Sequence, residues 1–224
     1  MRVLVIVPAY NEEENIACVV DALRRKGIDY VVVNDGSNDN TLKICRDNSF
    51  NYLNLPKNLG IGGAVQAGHL YAQRNGYDID IQFDGDGQHD VSCIPNLVDA
   101  IEGGADLVVG SRFIGGSNKF KSTTARRMGI NFLKHVIKMK TGLVVNDVTS
   151  GFRACNRKAI DLFCNDYPED YPEPESIVNA KLRGLTIQEV PVIMHERQGG
   201  ASSIHGFKSI YYMVKVTLAI LFLK

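Results

Sequence analysis

The chain has 224 residues, of which 45% are hydrophobic and 22% are charged, and its formal net charge at pH 7 is zero. These values are typical of a folded protein with one sizeable α/β domain or two small ones, and they exclude a disordered chain. The zero net charge gives no support to a nucleic-acid partner.

The first half of the chain alternates short apolar runs with helical stretches. Strands are predicted at residues 3–7, 30–33, 52–55, 78–83 and 106–109. Helices are predicted at residues 15–26, 60–75 and 95–102, and another follows the turn at residues 35–39 and ends near residue 47. Uninterrupted apolar runs suit parallel strands covered on both faces. The pattern therefore predicts an open, mostly parallel, Rossmann-like α/β sheet flanked by helices.

A polar segment follows the end of each predicted strand. These segments are residues 10–12, 34–37, 57–60, 84–86 and 111–112. Ligands of an open α/β sheet bind beyond the carboxyl ends of its strands, so we expect the five segments to gather on one edge.

The strongest motif is Asp84-Gly85-Asp86-Gly87-Gln88-His89. Two carboxylates one residue apart at a strand end can hold a hard divalent cation, Mg²⁺ or Mn²⁺, which would neutralise a diphosphate leaving group. An isolated motif of this kind is equally often a solvated acidic turn. Its agreement with the other segments favours the metal site.

The second half of the chain is less regular. A helix is predicted at residues 125–140, with basic residues between apolar ones. Such a pattern suits an anionic membrane surface, although a core-facing helix with a charged outer side would look similar. The glycines at residues 60–68 do not fit the dinucleotide-binding fingerprint. We therefore interpret them as residues that allow a helix to pack closely against its neighbours.

Three segments in order and at matching spacing carry a family resemblance: residues 7–13 (VPAYNEE), 34–37 (NDGS) and 84–89 (DGDGQH). From about residue 2 to residue 205, the chain resembles family 2 glycosyltransferases of the GT-A fold. The most similar subgroup is that of dolichyl-phosphate mannosyltransferases and bacterial polyprenyl-phosphate glycosyltransferases. The resemblance implies an inverting, metal-dependent transfer of a sugar from a UDP- or GDP-sugar to a polyprenyl (dolichyl or undecaprenyl) phosphate, in the synthesis of cell-envelope polysaccharide or glycoconjugates.

The resemblance also implies roles for individual residues. Those expected to bind the nucleotide sugar are Pro8, Tyr10, Glu12, Asp35, Asn58, Asp84 and Arg197. The expected metal ligands are Asp84, Asp86 and Gln88, with His195 as a further candidate. The acceptor phosphate is assigned to Arg112, Arg126 and Arg127, and the catalytic residues are Asp86, Arg112 and Asp147. Asp147 is a candidate base or orienting group.

Three alternatives stay open from the sequence. The acceptor could be a saccharide, in which case Asp147 or another carboxylate would serve as the base. Arg126 and Arg127 could belong to a solvated helix face. A non-catalytic nucleotide-sugar-binding protein is a third possibility; its sign would be the loss of Asp84 and Asp86, and both are present.

Residues 1–205 are the predicted catalytic domain, and residues 206–224 are a predicted apolar or amphipathic C-terminal tail. The apolar stretch at residues 210–223 is shorter than the roughly 20 residues of a spanning helix, which favours an interfacial helix. The first apolar run is too short for a signal peptide, and five scattered cysteines suggest reduced thiols. We therefore expect a peripheral enzyme on the cytoplasmic face of the membrane, either on the lipid surface itself or paired with a small membrane-anchoring protein.

Overall fold

The computed structural model describes residues 1–115, 124–195 and 207–223, with only the backbone for residues 124–126 and 207–212. The strands of this part of the chain are β1 Val3–Ala9, β2 Asp29–Asn34, β3 Tyr52–Asn54, β4 Ile79–Gln82, β5 Leu107–Ser111, β6 Arg153–Asn156 and β7 Ile187–Pro191. Its helices are α1 Ile16–Arg25, α2 Thr41–Asp47, α3 Gly60–Arg74, α4 Ile94–Glu102, α5 Thr124–Thr141, α6 Arg157–Asn165, α7 Pro172–Leu182 and α8 Phe207–Phe222.

All seven strands form one sheet in the order β3-β2-β1-β4-β6-β5-β7. Every neighbouring pair is parallel except the two that involve β6, which runs antiparallel to β4 and to β5. The predicted open, mostly parallel sheet flanked by helices is therefore confirmed, and so are the five strands and the helices predicted in the first half.

The central strand β1 explains why the apolar runs are continuous. Side chains of successive residues point to opposite faces of a strand, so a strand covered on both faces has no polar side. Val5 and Val7 belong to the hydrophobic cluster on one face of the sheet, and Leu4 and Ile6 belong to the cluster on the other.

Strand β6 was missed from the sequence because its residues, Arg-Ala-Cys-Asn, do not form an apolar run. Arg153 is nonetheless buried, since its guanidinium donates to the Ser150 carbonyl at 2.7 Å and to Ser176 Oγ at 2.6 Å. An antiparallel strand begins where its parallel neighbours end. The direction of β6 therefore brings the loop at residues 147–152 to the edge where β4 and β5 terminate.

The glycines of α3 allow close packing, as predicted for the stretch at residues 60–68. A Cβ atom on Gly62 would collide with the backbone carbonyls of Pro168 and Glu169, and one on Gly68 would collide with Ile6. Helix α3 can therefore lie directly against β1 and against the acidic loop before α7.

Helices α5 and α8 pack side by side and in the same direction. Lys140 Nζ, near the end of α5, donates to the Leu221 carbonyl near the end of α8. Val216 and Ile220 of α8 are buried in a third hydrophobic cluster with residues of α5 and α7. Among the described residues, no helix is both long and apolar enough to cross a membrane. The division of the chain at residue 205 stays a prediction.

Candidate functional site

A cleft of about 590 Å³ opens at the carboxyl edge of the sheet. Its lining includes seven residues that the sequence singled out, namely Pro8, Tyr10, Glu12, Asp35, Asn58, Asp84 and Asp86. The loops that follow β1, β2, β3 and β4 thus converge as the strand-end rule requires.

One wall of the cleft is the loop between β1 and α1, which is tied to the loop between β2 and α2. The backbone N–H of Asn11 donates to Ser37 Oγ at 3.0 Å, and the Asn11 side chain accepts from the N–H of Asn38 at 2.8 Å. Asn11 has a φ of 56°, a left-handed conformation that asparagine tolerates better than most residues. Tyr10 lies in this loop and is 44% exposed, so its ring can stack on a flat ligand.

Asp35 lines the cleft and is almost fully buried. It is 3% exposed, and its two carboxylate oxygens accept from the backbone N–H groups of Leu59 at 2.7 Å and Gly60 at 2.9 Å. The carboxylate therefore stabilises the start of α3 and fixes the neighbouring Asn58. Each oxygen keeps one further lone pair, and the predicted contact with the nucleobase stays a prediction.

Asp84 is held from behind by two side chains. Gln82 Nε2 donates to Oδ1 at 3.1 Å, and His89 Nε2 lies 3.2 Å from Oδ2. Burial by itself raises the pKa of the Asp84 carboxyl group. The hydrogen bond and electrostatic interaction with His89, followed by those with Gln82 and Arg112, outweigh burial and hold that pKa below its usual value. The group is thus kept as a carboxylate.

Gly151 explains why the loop before β6 can approach this carboxylate. A Cβ atom on Gly151 would lie 2.7 Å from Asp84 Oδ2 and 3.0 Å from Gln82 Nε2. Only glycine leaves that space, so the segment at residues 147–152 packs closely against the acidic motif at residues 84–89.

Hydrogen bonds connect three predicted metal ligands, Asp86, Gln88 and His195. Asp86 Oδ1 accepts from the backbone N–H of Gln88 at 3.0 Å. The backbone N–H of His195 donates to the Gln88 carbonyl at 2.7 Å, and Gln88 Nε2 donates to the His195 carbonyl at 3.3 Å. His195 Nε2 lies 3.0 Å from Asp90 Oδ2, so a metal would have to bind at Nδ1 or displace this contact.

The donor set fits a hard divalent cation. Asp84 and Asp86 both line the cleft, and carboxylate and amide oxygens are ligands that Mg²⁺ and Mn²⁺ accept. The two hydrogen bonds to Asp84 each use one lone pair of one oxygen and leave the others for a cation.

Arg112 and Asp147, both predicted as catalytic, form a buried ion pair. Arg112 Nε donates to Asp147 Oδ2 and Nη2 donates to Oδ1, each at 2.6 Å, and the Arg112 backbone N–H adds a bond of 3.0 Å to Oδ2. The side chains are 3% and 0% exposed. From β7, Glu189 Oε1 accepts from the Asp147 N–H at 2.8 Å. The geometry suits orientation of the arginine by the aspartate more than proton transfer by the aspartate.

Of the predicted arginines whose side chains the structure describes, neither Arg112 nor Arg127 lines the cleft. Arg127 is exposed on α5 and is not among the described residues that line the cleft. The Arg126 side chain and Arg197 lie outside the described residues. Their proposed contacts with phosphate groups stay predictions.

Glu173 is an acidic residue near Asp84 and Arg112 that the sequence did not single out. It lies in the first turn of α7, where burial raises the pKa of its carboxyl group, and the charges of Arg153, Asp84 and Arg112 act on it. Burial and the charge of Asp170 raise the pKa of Glu175, two residues further along α7, to about 7. The proline at the first helical position could have placed Glu173 in the first turn of a helix, but not near Asp84 and Arg112.

His69, Asp80 and Cys155 form a second group whose donor atoms lie close together, within the described part of the chain. His69 Nδ1 and Asp80 Oδ2 are 2.7 Å apart, and all three residues are buried. Burial and the charge of Asp80 hold the pKa of the Cys155 thiol well above its usual value, which disfavours the thiolate that a metal needs. We interpret this group as core structure.

Comparisons with known proteins show the family to which the chain belongs. The model of glycosyl transferase family 2 matches residues 4–163. A polyprenol monophosphomannose synthase of Mycolicibacterium smegmatis is 30% identical to this chain, over 96% of the chain and 85% of the relative. An undecaprenyl-phosphate mannosyltransferase of Micrococcus luteus is 33% identical, over 92% and 88%. A UDP-N-acetylglucosamine–dolichyl-phosphate N-acetylglucosaminyltransferase of Methanococcus voltae is 31% identical, over 96% of each.

Solved structures show the same fold at lower sequence identity. Glucosyl-3-phosphoglycerate synthase from Mycobacterium tuberculosis, in complex with Mn²⁺, uridine diphosphate and glucosyl-3-phosphoglycerate, matches with a TM-score of 0.73 and 20% identity, over 98% of this chain and 78% of that one. At this identity the likeness concerns the fold alone, and the predicted GT-A fold is confirmed.

Proposed function

The chain belongs to glycosyl transferase family 2 and is therefore a glycosyltransferase, and on this premise we propose that it transfers a sugar from a UDP- or GDP-sugar to a polyprenyl phosphate with inversion, assisted by Mg²⁺ or Mn²⁺. The observation that carries the proposal is the pair Asp84 and Asp86, which lines one cleft together with Tyr10 and Glu12. The three relatives named above support the acceptor, since each name includes a polyprenyl, undecaprenyl or dolichyl phosphate product or substrate.

The donor would lie in the cleft between the loops after β1 and β4. We assign the nucleoside to Pro8, Tyr10 and Glu12, because an exposed tyrosine can stack on a base and a glutamate can accept from ribose hydroxyls. Asp84, Asp86 and the Gln88 amide would hold the cation, which when bound would neutralise charge on the leaving diphosphate. Arg197, from the segment outside the described residues, is our candidate for a further contact with the diphosphate.

The acceptor side would be organised by Arg112. A phosphate monoester carries a charge of about −1.5 to −2 at pH 7, so its oxygen can attack without a strong base. Asp147 is fully buried, and both of its oxygens are bonded to Arg112. We therefore assign Asp147 to the orientation of Arg112, and Arg112, Arg126 and Arg127 to the acceptor phosphate, a ligand that the guanidinium fork matches well.

The first test is a transfer assay with radiolabelled UDP- and GDP-sugars, Mg²⁺ or Mn²⁺, and undecaprenyl or dolichyl phosphate. We expect label in the organic phase with one donor only, and none when the free polyprenol replaces its phosphate, since the alcohol lacks the charged nucleophile. Label in a soluble saccharide without label in lipid would contradict the acceptor and favour the saccharide alternative with Asp147 as the base.

We also propose that α5 and α8 contact the cytoplasmic surface of the membrane, where the lipid acceptor would be available. On α5, Met128, Phe132 and Met139 fall on one helix face and are 68%, 51% and 76% exposed. On the adjacent α8, Val214, Leu218 and Leu221 form a similar exposed face. Basic residues of α5 flank the first face, as in helices that bind anionic lipid.

Exchanging Met128, Phe132 and Met139 together for serine is expected to weaken binding to phosphatidylglycerol-containing vesicles at least about tenfold, because each large apolar side chain contributes on the order of 1 kcal/mol when partly buried. Vesicle co-sedimentation measures the change. The matched control exchanges Leu182 and Ile193, which are similarly exposed elsewhere, for serine and should bind like the wild type. Unchanged binding of the triple variant would contradict the proposed surface and leave a membrane-anchoring partner as the alternative.

A further inference from the structure

His89 is buried directly behind the proposed metal site. It is 6% exposed and does not line the cleft, yet its Nε2 lies 3.2 Å from Oδ2 of Asp84. Its ring packs against two phenylalanines that also contact each other, with centroid distances of 5.4 Å to Phe83 and 4.8 Å to Phe152. Its ring nitrogens therefore meet two very different surroundings.

These surroundings determine which ring nitrogen of His89 carries the hydrogen. Nδ1 is buried and has no hydrogen-bond partner among the residues that the structure describes. A hydrogen on Nδ1 alone would be left unpaired in an apolar environment, and the Nε2 lone pair would face the lone pairs of the carboxylate. A hydrogen on Nε2 instead donates to Asp84, so this arrangement is the favoured one.

The carboxylate of Asp84 is then fixed from three directions. His89 donates to Oδ2, Gln82 donates to Oδ1, and the backbone at Gly151 fills the space beside both. Rotation of the carboxylate would break both hydrogen bonds. The remaining lone pairs are directed to the open side, where Asp84 lines the cleft and its side chain is one-third exposed.

We propose that His89 is a positioning residue for the divalent cation: its Nε2–H holds the Asp84 carboxylate in the orientation that presents the free lone pairs to the metal. The proposal rests on the proposed function, because it presupposes a cation at Asp84 and Asp86. Residues that hold a metal ligand in place from behind commonly change metal affinity by about 10- to 100-fold when they are replaced.

Two variants separate this role from mere packing. His89→Gln keeps an amide N–H near the place of Nε2, whereas His89→Met fills the space beside the two phenylalanines without any donor. The probe is Mn²⁺, titrated alone and in the presence of UDP or GDP, with free Mn²⁺ measured by electron paramagnetic resonance. We expect the dissociation constant of Mn²⁺ to rise at least about tenfold in His89→Met and to stay within about threefold of the wild type in His89→Gln.

The melting temperature of each variant, measured without metal, shows whether the fold is intact. A role in packing alone predicts that the two variants lose Mn²⁺ affinity in proportion to their melting temperatures. Wild-type affinity in His89→Met, or equal losses in both variants, would overturn the proposal.

The variant Asp84→Asn distinguishes failure of the role proposed for His89 from failure of the proposed function. If the wild type binds Mn²⁺ and Asp84→Asn does not, the metal site stands and the two His89 variants decide the role of His89 alone. If the wild type binds no Mn²⁺ with either nucleotide, the metal dependence in the proposed function falls, and the role of His89 falls with it.

Discussion

Replacing Asp86 with asparagine is expected to lower kcat/KM for sugar transfer by about three orders of magnitude. The cation proposed at Asp84 and Asp86 would contribute several kcal/mol to the stabilisation of the leaving diphosphate, and about 1.4 kcal/mol corresponds to a factor of ten in rate. Asparagine keeps an oxygen that can accept the 3.0 Å bond from the Gln88 N–H, so the local backbone should persist. Initial rates over a range of Mn²⁺ concentrations measure the loss.

The matched control is Asp90→Asn on the same segment. Asp90 caps the short helical turn at residues 91–93 by accepting from the Ser92 N–H, a function that asparagine also performs, and it does not line the cleft. We expect Asp90→Asn to lose less than tenfold. An Asp86→Asn variant with more than a tenth of wild-type activity would contradict the assignment of Asp86 to the metal.

Replacing Asp147 with asparagine is expected to reduce the free energy of unfolding by about 3 to 5 kcal/mol, because it removes the carboxylate that forms the buried ion pair with the Arg112 guanidinium. The three hydrogen bonds described between the two residues all end on the Asp147 carboxylate, and neither side chain is more than 3% exposed. Denaturant unfolding measures the change. The pair of Lys158 and Asp106 is the control: Lys158 is 77% exposed, so Lys158→Met should cost less than about 1 kcal/mol.

A double-mutant cycle on activity tests whether Asp147 acts through Arg112. If it does, Asp147→Asn should cost much less in an Arg112→Lys background than in the wild type, because the oriented fork is already lost. Independent, additive losses would instead favour Asp147 as a base and the saccharide acceptor. The unfolding experiment does not depend on that outcome.

Most of the first half of the fold could be predicted because its signals are local. An uninterrupted apolar run at residues 3–7 indicates a strand covered on both faces, and a strand end next to Asp84 indicates the ligand-binding edge. The amphipathic pattern at residues 125–140 likewise predicted α5 to within one residue at each end. The antiparallel strand β6 was missed because Arg153 is satisfied by partners that the sequence cannot identify, the Ser150 carbonyl and Ser176 Oγ.

The sequence by itself determined the fold class, the family, and the set of loops that form the cleft, since these depend on periodicity and on motif order along the chain. Only the tertiary structure decided which of those residues contact one another. Asp147 lies 35 residues from Arg112, and Gly151 lies 67 residues from Asp84, so their contacts depend on the direction of β6. The side-chain surroundings of His89 and Glu173 depend in the same way on how strands and helices pack, because burial and unpaired atoms are properties of the assembled core.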